Sequence, residues 1–203
     1  MAGDFVTFEG IDKSGKTTQA DLLACALRNA GCEVILTREP GGTILGQTLR
    51  CLLLEKKENW VVDPRAEMFL FLADRVQHVE EVIRPGLSEG KVVISDRFSD
   101  STLAYQGYGR QMDLSQLRVL LNIAMGGLYP DLTVLVDVSS ATSIKRRDHT
   151  DYMECEIDLR RVRDGYLDLC KAEPDRIIRF DGHQQIETLS QKIYKVVGRR
   201  IGL

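Results

Sequence analysis

Five short apolar runs, separated by stretches with helical spacing, set the architecture open to this chain. The runs are Phe5–Phe8, Val34–Leu36, Val92–Ile94, Leu132–Val136 and Ile177–Phe180. Apart from Thr7, Thr133 and Arg179 they read as continuous apolar runs rather than strict alternation, which is the pattern of strands buried on both faces of a sheet. Helical spacing is predicted over 17–29, with Gly31 as a stop, and over 45–54, 65–83, 114–125, 141–147 and 186–197. An amphipathic helix is also predicted to end near Lys171. Strands alternating with helices give an α/β fold with a parallel sheet between two helical layers. Right-handed crossovers bring the carboxyl ends of all strands to one edge, where ligands bind in such sheets. The 203 residues are read as one domain spanning 1–203.

That edge carries a phosphate signature. Gly10-Ile11-Asp12-Lys13-Ser14-Gly15-Lys16-Thr17 fits G-x-x-x-x-G-K-[ST], with a strand before it and a helix, beginning with Thr17-Thr18, after it. Glycines let backbone N–H groups turn inward around phosphate oxygens, and the helix N-terminus adds partial positive charge. Lys16 is expected to reach the β and γ phosphates of a nucleotide, and the Thr17 hydroxyl to ligate Mg²⁺.

Four other segments fall on the same edge or lead to it. Val92-Val93-Ile94-Ser95-Asp96-Arg97 ends a strand in a carboxylate and a guanidinium; beside the phosphate loop, Asp96 reads as part of a Mg²⁺ shell, partly through water. Thr37-Arg38-Glu39-Pro40-Gly41-Gly42-Thr43 puts an Arg on a rigid turn, suited to an anion. Phe71 and Arg75 stand four apart and share a helix face, as a ring to stack on a base and a cation for its edge require. Ser101, Tyr105 and Gln106 crowd polar and aromatic groups just beyond Asp96-Arg97. Taken singly, these also read as a surface ion pair, a solvated turn, a core aromatic and a Gly-rich loop. The basic cluster Lys145-Arg146-Arg147 precedes a polar stretch, and a short lid is expected over about 145–157.

Composition removes other classes. Lys and Arg number 27 against 30 Asp and Glu, a net charge of −3, so the chain lacks the basic excess of a general nucleic-acid binder. No apolar stretch approaches the roughly 20 residues of a membrane span, and the first residues show no secretory pattern. Five cysteines without C-x-x-C, and three histidines without H-E-x-x-H, point away from a disulfide framework and from a zinc site. A cytoplasmic location is expected, with any divalent ion arriving with substrate.

The ordered set Phe8-Glu9-Gly10-Ile11-Asp12-Lys13-Ser14-Gly15-Lys16-Thr17-Thr18-Gln19, Arg38-Glu39-Pro40-Gly41-Gly42-Thr43, Asp96-Arg97-Phe98, Ser101-Thr102-Leu103-Ala104-Tyr105-Gln106-Gly107 and Pro130-Asp131-Leu132-Thr133 resembles the bacterial type of thymidylate kinase over nearly the whole chain. The resemblance implies a three-layer P-loop nucleoside-monophosphate-kinase fold with a five-stranded parallel core. It implies phosphorylation of dTMP to dTDP with Mg-ATP, and a homodimer. By the same resemblance Gly10, Ile11, Asp12, Lys13, Ser14, Gly15, Lys16, Thr17, Thr18 and Arg146 bind ATP. Asp12, Arg38, Phe71, Arg75, Arg97, Ser101, Tyr105 and Gln106 hold dTMP, with Phe71 stacked on thymine and Tyr105 crowding the sugar 2′ position. Lys16, Arg97, Lys13, Asp12 and Arg147 would act on the transferred group. The chain departs from the family where Asp151 is followed by Tyr152 instead of Arg, and it carries basic residues both in the loop and beside the lid. Two alternatives stay open: another nucleotide or nucleoside kinase of this fold, and a catalytically weak nucleotide-binding protein with a degenerate lid.

Overall fold

A computed structural model describes residues 3–54, 62–146 and 157–203. Five parallel strands, β1 (Phe5–Glu9), β2 (Val34–Arg38), β3 (Val92–Asp96), β4 (Leu132–Asp137) and β5 (Ile177–Asp181), form a sheet in the order β2-β3-β1-β4-β5. Alternation along the strands divides the core in two. Val6, Phe8, Val92, Ile94, Val134 and Val136 face helices α1 (Lys16–Asn29) and α9 (Ile186–Arg200) through Leu23, Leu27, Leu189 and Ile193. Phe5, Val93 and Leu135 face the other way. There they meet α3 (Pro64–His78), α6 (Leu114–Met125) and α8 (Leu159–Ala172) through Leu72, Leu117, Leu121 and Val162. The expected three-layer α/β architecture with a five-stranded parallel sheet is present. Among the described residues no helix is long and apolar enough to cross a membrane.

Helix α2 (Ile44–Leu54) follows β2, and α7 (Ser140–Lys145) follows β4. Two stretches differ from the sequence reading. The helix expected over 65–83 is α3 up to His78, then a π-helical segment Val79–Ile83, then α4 (Arg84–Ser88). Its apolar spacing continues unbroken, so the widened turn leaves no mark in the pattern. The residues after Arg97, open to reading as a Gly-rich loop, are helical: α5 (Ser99–Thr102) runs into a π-helical segment Leu103–Gly109. Packing against α8 overrides the weak helix propensity of Gly107 and Gly109.

Strand β1 ends in a buried carboxyl group. Glu9 Oε1 accepts from the Phe98 N–H at 2.8 Å and the Ser101 N–H at 3.2 Å. Its Oε2 accepts from the Ser101 hydroxyl at 2.6 Å and the Tyr166 hydroxyl at 2.8 Å. Loss of water, reinforced by Asp100, pushes the Glu9 carboxyl up to about 7. Between its ordinary value of 4.5 and about 7 the folded protein therefore retains a proton that the unfolded chain has released. Stability from this group is full below that window and declines as pH rises through it, by up to about 1.4 kcal/mol per pH unit. Glu9→Gln, which cannot titrate, is expected to remove this part of the decline between pH 4.5 and 7, measured by urea unfolding across a pH series.

Candidate active site

The loop after β1 is shaped for a tight backbone wrap. Gly10 has φ 142°, and a Cβ there would lie 2.4 Å from the Val136 carbonyl oxygen, so no side chain fits. Lys13 also adopts a left-handed conformation, at φ 58°. Helix α1 begins at Lys16 with no side-chain cap on its first amides, which suits those N–H groups to an anion. The Lys16 side chain is buried; its Nζ lies 3.5 Å from the Ile11 carbonyl and 3.4 Å from Asp12 Oδ1. Arg146, at the end of α7, donates to the Lys13 and Ser14 carbonyls at 3.2 and 3.5 Å and to the Gly182 carbonyl at 3.4 Å. It thus straps the loop to the β5–α9 connection. Arg147 and most of the expected lid, including Asp151 and Tyr152, lie outside the described residues.

The predicted metal pair meets. Thr17 donates its hydroxyl to Asp96 Oδ2 at 2.5 Å, because β3 lies beside β1 with Phe8 opposite Asp96. Asp96 Oδ1 is buried and has no partner among the described residues. An acceptor oxygen left over beside a hydroxyl fits a hard cation such as Mg²⁺, and these two residues suit that ion.

A cleft opens next to the loop. Asp12, Phe71, Arg75, Arg97, Ser101, Tyr105 and Gln106 all line it, so the structure brings together all but one of the residues expected at the acceptor. Arg97 is held at φ 72°, a strained conformation for a non-glycine residue. Its guanidinium donates to the Gly10 carbonyl at 3.2 Å, the Ser101 hydroxyl at 3.1 Å and the Tyr105 hydroxyl at 3.3 Å, and lies over the Tyr105 ring. It also pairs with Asp12 Oδ1, the atom that Lys16 approaches. Asp12 therefore sits between a cation of the loop and a cation of the cleft.

Two expected residues are placed differently from a simple reading. Arg38 does not line this cleft; it lines the neighbouring one with Thr17, Asp21, Thr37 and Asp96. Strand alternation explains this, since Arg38 is in phase with Val34 and Leu36, which face the α1 side. Arg75 is on the cleft wall but only 2% exposed. It donates from Nε to Glu39 at 2.8 Å, from Nη1 to Thr102 at 2.9 Å and from Nη2 to the Phe98 carbonyl at 2.9 Å. Its Nη2 also pairs with Glu39 at 2.8 Å, so one Nη1 hydrogen beyond these is what it can offer a base.

Residues outside the sequence-derived set complete the wall. Arg50 of α2 lines the cleft and donates to the Pro40 carbonyl at 2.8 Å, across a cis Glu39–Pro40 peptide. Burial and the nearby Arg38 pull its pKa down, so the charge there favours an anion. Tyr166 of α8 links Glu9, Ser101 and Arg97 at 2.8, 2.9 and 3.4 Å. Gln106 donates to Glu67 at 3.0 Å, and that buried carboxylate also accepts from Arg110 at 2.9 Å. Arg50 stands twelve positions beyond Arg38, and nothing local ties it to the turn; Glu9, by contrast, directly precedes the phosphate loop.

Residues 8–193 match the family model described as thymidylate kinase. A protein named thymidylate kinase from Solidesulfovibrio magneticus is 45% identical over 210 residues, covering 96% of this chain and 99% of its own length. One of the same name from a Nostoc species is 43% identical over 203 residues, covering 97% and 96%. The crystal structure of thymidylate kinase from Ehrlichia chaffeensis superposes with a TM-score of 0.79 at 38% identity, over 97% of this chain and 99% of that one. With a loop for one anion, a walled cleft for a second and this similarity along its whole length, the chain belongs to the thymidylate kinase family.

Proposed function

We propose that this protein transfers the γ-phosphoryl group of Mg-ATP to dTMP, giving dTDP and ADP. The observation that carries the reading is the junction at Asp12, where the phosphate loop and the cleft each present a cation to one carboxylate oxygen. Two nucleotides bound in these places would meet there end to end. Phosphoryl transfer asks mainly for alignment and for positive charge around the moving group.

The proposed roles combine what the family resemblance implies with this geometry. The loop amides, Lys16 and Thr18 at the start of α1 hold the ATP phosphates, and Arg146 steadies the loop on the adenine side. Lys13 and Arg147 are the further cations offered to the γ-phosphate, the latter from a short lid within 145–157 of a single domain. Mg²⁺, held by Thr17 and by Asp96 partly through water, would supply charge neutralisation between the β and γ phosphates. Phe71 stacks on the thymine, with Arg75 and Gln106 at its edge. Tyr105 and Ser101 border the sugar, and Asp12 meets its hydroxyl. Arg97 and Arg50 hold the acceptor phosphate, and Arg38 adds long-range positive charge from the adjacent cleft. A protein that consumes ATP suits the cytoplasm.

We also propose a homodimer built on α3 and α6. Phe69 and Val76 on α3, and Val119 and Ile123 on α6, are 45–70% exposed. The two helices pack side by side, so these side chains form one apolar face, which a second copy would cover.

Incubated with Mg-ATP and a panel of monophosphates, the purified protein is expected to turn over dTMP fastest; fastest turnover of AMP, dCMP or dUMP, with dTMP inert, would refute the assignment. Arg97→Ala is expected to lower kcat by about 10³-fold or more, since it removes charge developed against in the transition state, and single-turnover kinetics give the number. Ile123→Asp is expected to halve the mass seen by light scattering by placing a carboxylate in the apolar face.

A further inference from the structure

We propose that His78 is a positioning residue for the acceptor subsite, acting through Glu39 and the Pro40 carbonyl to aim Arg50. The inference rests on the reading of the cleft as a nucleoside-monophosphate site. His78 is completely buried and does not line the cleft, so any influence it has on the acceptor passes through other groups.

Asp74, Arg75 and His78 share one face of α3, and that face grips the segment leaving β2. His78 Nε2 meets the Thr37 hydroxyl at 2.7 Å, and His78 Nδ1 meets Glu39 Oε1 at 2.9 Å. Arg75 takes the other Glu39 oxygen at 2.8 Å, and Asp74 Oδ1 accepts from the Gly41 N–H at 3.1 Å. The roles that satisfy both ring partners are Nδ1–H donating to the Glu39 carboxylate and Nε2 accepting from Thr37. The turn also presses on the ring, since a Cβ at Gly42 would lie 2.5 Å from His78 Cδ2. The glycines of Pro40-Gly41-Gly42 thus let the backbone close onto a histidine.

The Pro40 peptide is therefore anchored on both sides, by the Glu39 side chain before it and the Gly41 N–H after it. Its carbonyl accepts from Arg50 Nη1 at 2.8 Å. Arg38 repels Arg50 across the turn. Asp96 and Asp74 attract it at longer range, and among the described residues the Pro40 carbonyl is its hydrogen-bond acceptor, so a shift of that carbonyl shifts the guanidinium. Releasing Glu39 from His78 loosens the carbonyl, and the arginine then loses its aim at an acceptor phosphate.

The test is a double-mutant cycle read in steady-state kinetics. His78→Gln keeps an amide near the Nε2 position for Thr37 and gives up Glu39; His78→Asn keeps the Nδ1 position for Glu39. His78→Gln is expected to raise KM for dTMP about tenfold, the equivalent of one net hydrogen bond, with kcat and KM for ATP within about twofold. His78→Asn is expected to recover most of that rise. In an Arg50→Ala background the His78→Gln effect on KM is expected to vanish. Additive effects in the cycle, a fall in kcat with KM for dTMP unmoved, or equal rises for Asn and Gln that track their loss of Tm would overturn the proposal. Should His78→Gln fail to fold, Thr37→Val frees the other end of the ring and is expected to raise KM for dTMP twofold to threefold, again only when Arg50 is present; the same rise without Arg50 overturns the proposal. Wild-type protein inert toward dTMP refutes the substrate reading, whereas wild-type turnover with an additive cycle refutes the role of His78 alone.

Discussion

The pairing of β1 with β3, Phe8 opposite Asp96, is the constraint on which the site depends. The chain makes β2 before β3, yet β3 lies next to β1, and β4 takes the other side. The order of strands reverses there, and a crevice opens above the carboxyl ends at such a point. One register then fixes two contacts at once. Thr17 meets Asp96, and the Arg97 N–H reaches the Phe8 carbonyl at 2.9 Å. A shift of one residue would turn Asp96 to the other face and part it from the phosphate loop.

Around that crevice the protein buries several acidic and basic side chains, and most of them are held in hydrogen-bonded networks. Glu9 accepts four hydrogen bonds. Asp100 takes a two-pronged grip from Arg176 at 2.8 and 2.9 Å, and Glu39 takes one from Arg75 and another from His78. An ion left unpaired at such depth would destabilise the fold by several kcal/mol. Each network also joins elements far apart in sequence, so satisfying the charge and locating the wall of the cleft are one requirement. Asp74 follows the same logic less completely: desolvation and the nearby Glu39 push its carboxyl up to about 6, and one of its oxygens has no partner among the described residues.

How much of this could be read beforehand follows from range. The five strands, their parallel direction and the phosphate loop were legible because they rest on local patterns, the apolar run and the glycine spacing. The Thr17–Asp96 meeting was legible because both end elements known to share an edge. Arg38 shows a rule left unused: period-two alternation along β2 sends Arg38 toward α1 and Glu39 toward α3, and the structure places them so. The same turn also carries Glu39, which with the remote Arg50 faces the cleft. Arg50, Tyr166 and His78 escaped because their partners lie 10 to 157 positions away. The π-helical segments escaped because apolar spacing tolerates a widened turn. The basic residue beyond Arg146 and the departure at Tyr152 fall outside the described residues.

Asp12 then explains how the site can tolerate its own cations. Lys16 and Arg97 approach one carboxylate oxygen from the two sides where the donor and the acceptor would lie. Without that carboxylate, two like charges would face each other across a partly dry cleft, at an energy that falls only slowly with distance in such surroundings. With it, both cations are held near their working positions, and neither must be drawn in from solvent when an anion arrives. The carboxylate also makes the two halves interdependent. A phosphate that takes Lys16 leaves Asp12 more fully to Arg97, and one that takes Arg97 leaves it more fully to Lys16. In the proposed reading both cations would turn to phosphate only with both nucleotides bound, so the geometry that would transfer the group would also require two substrates.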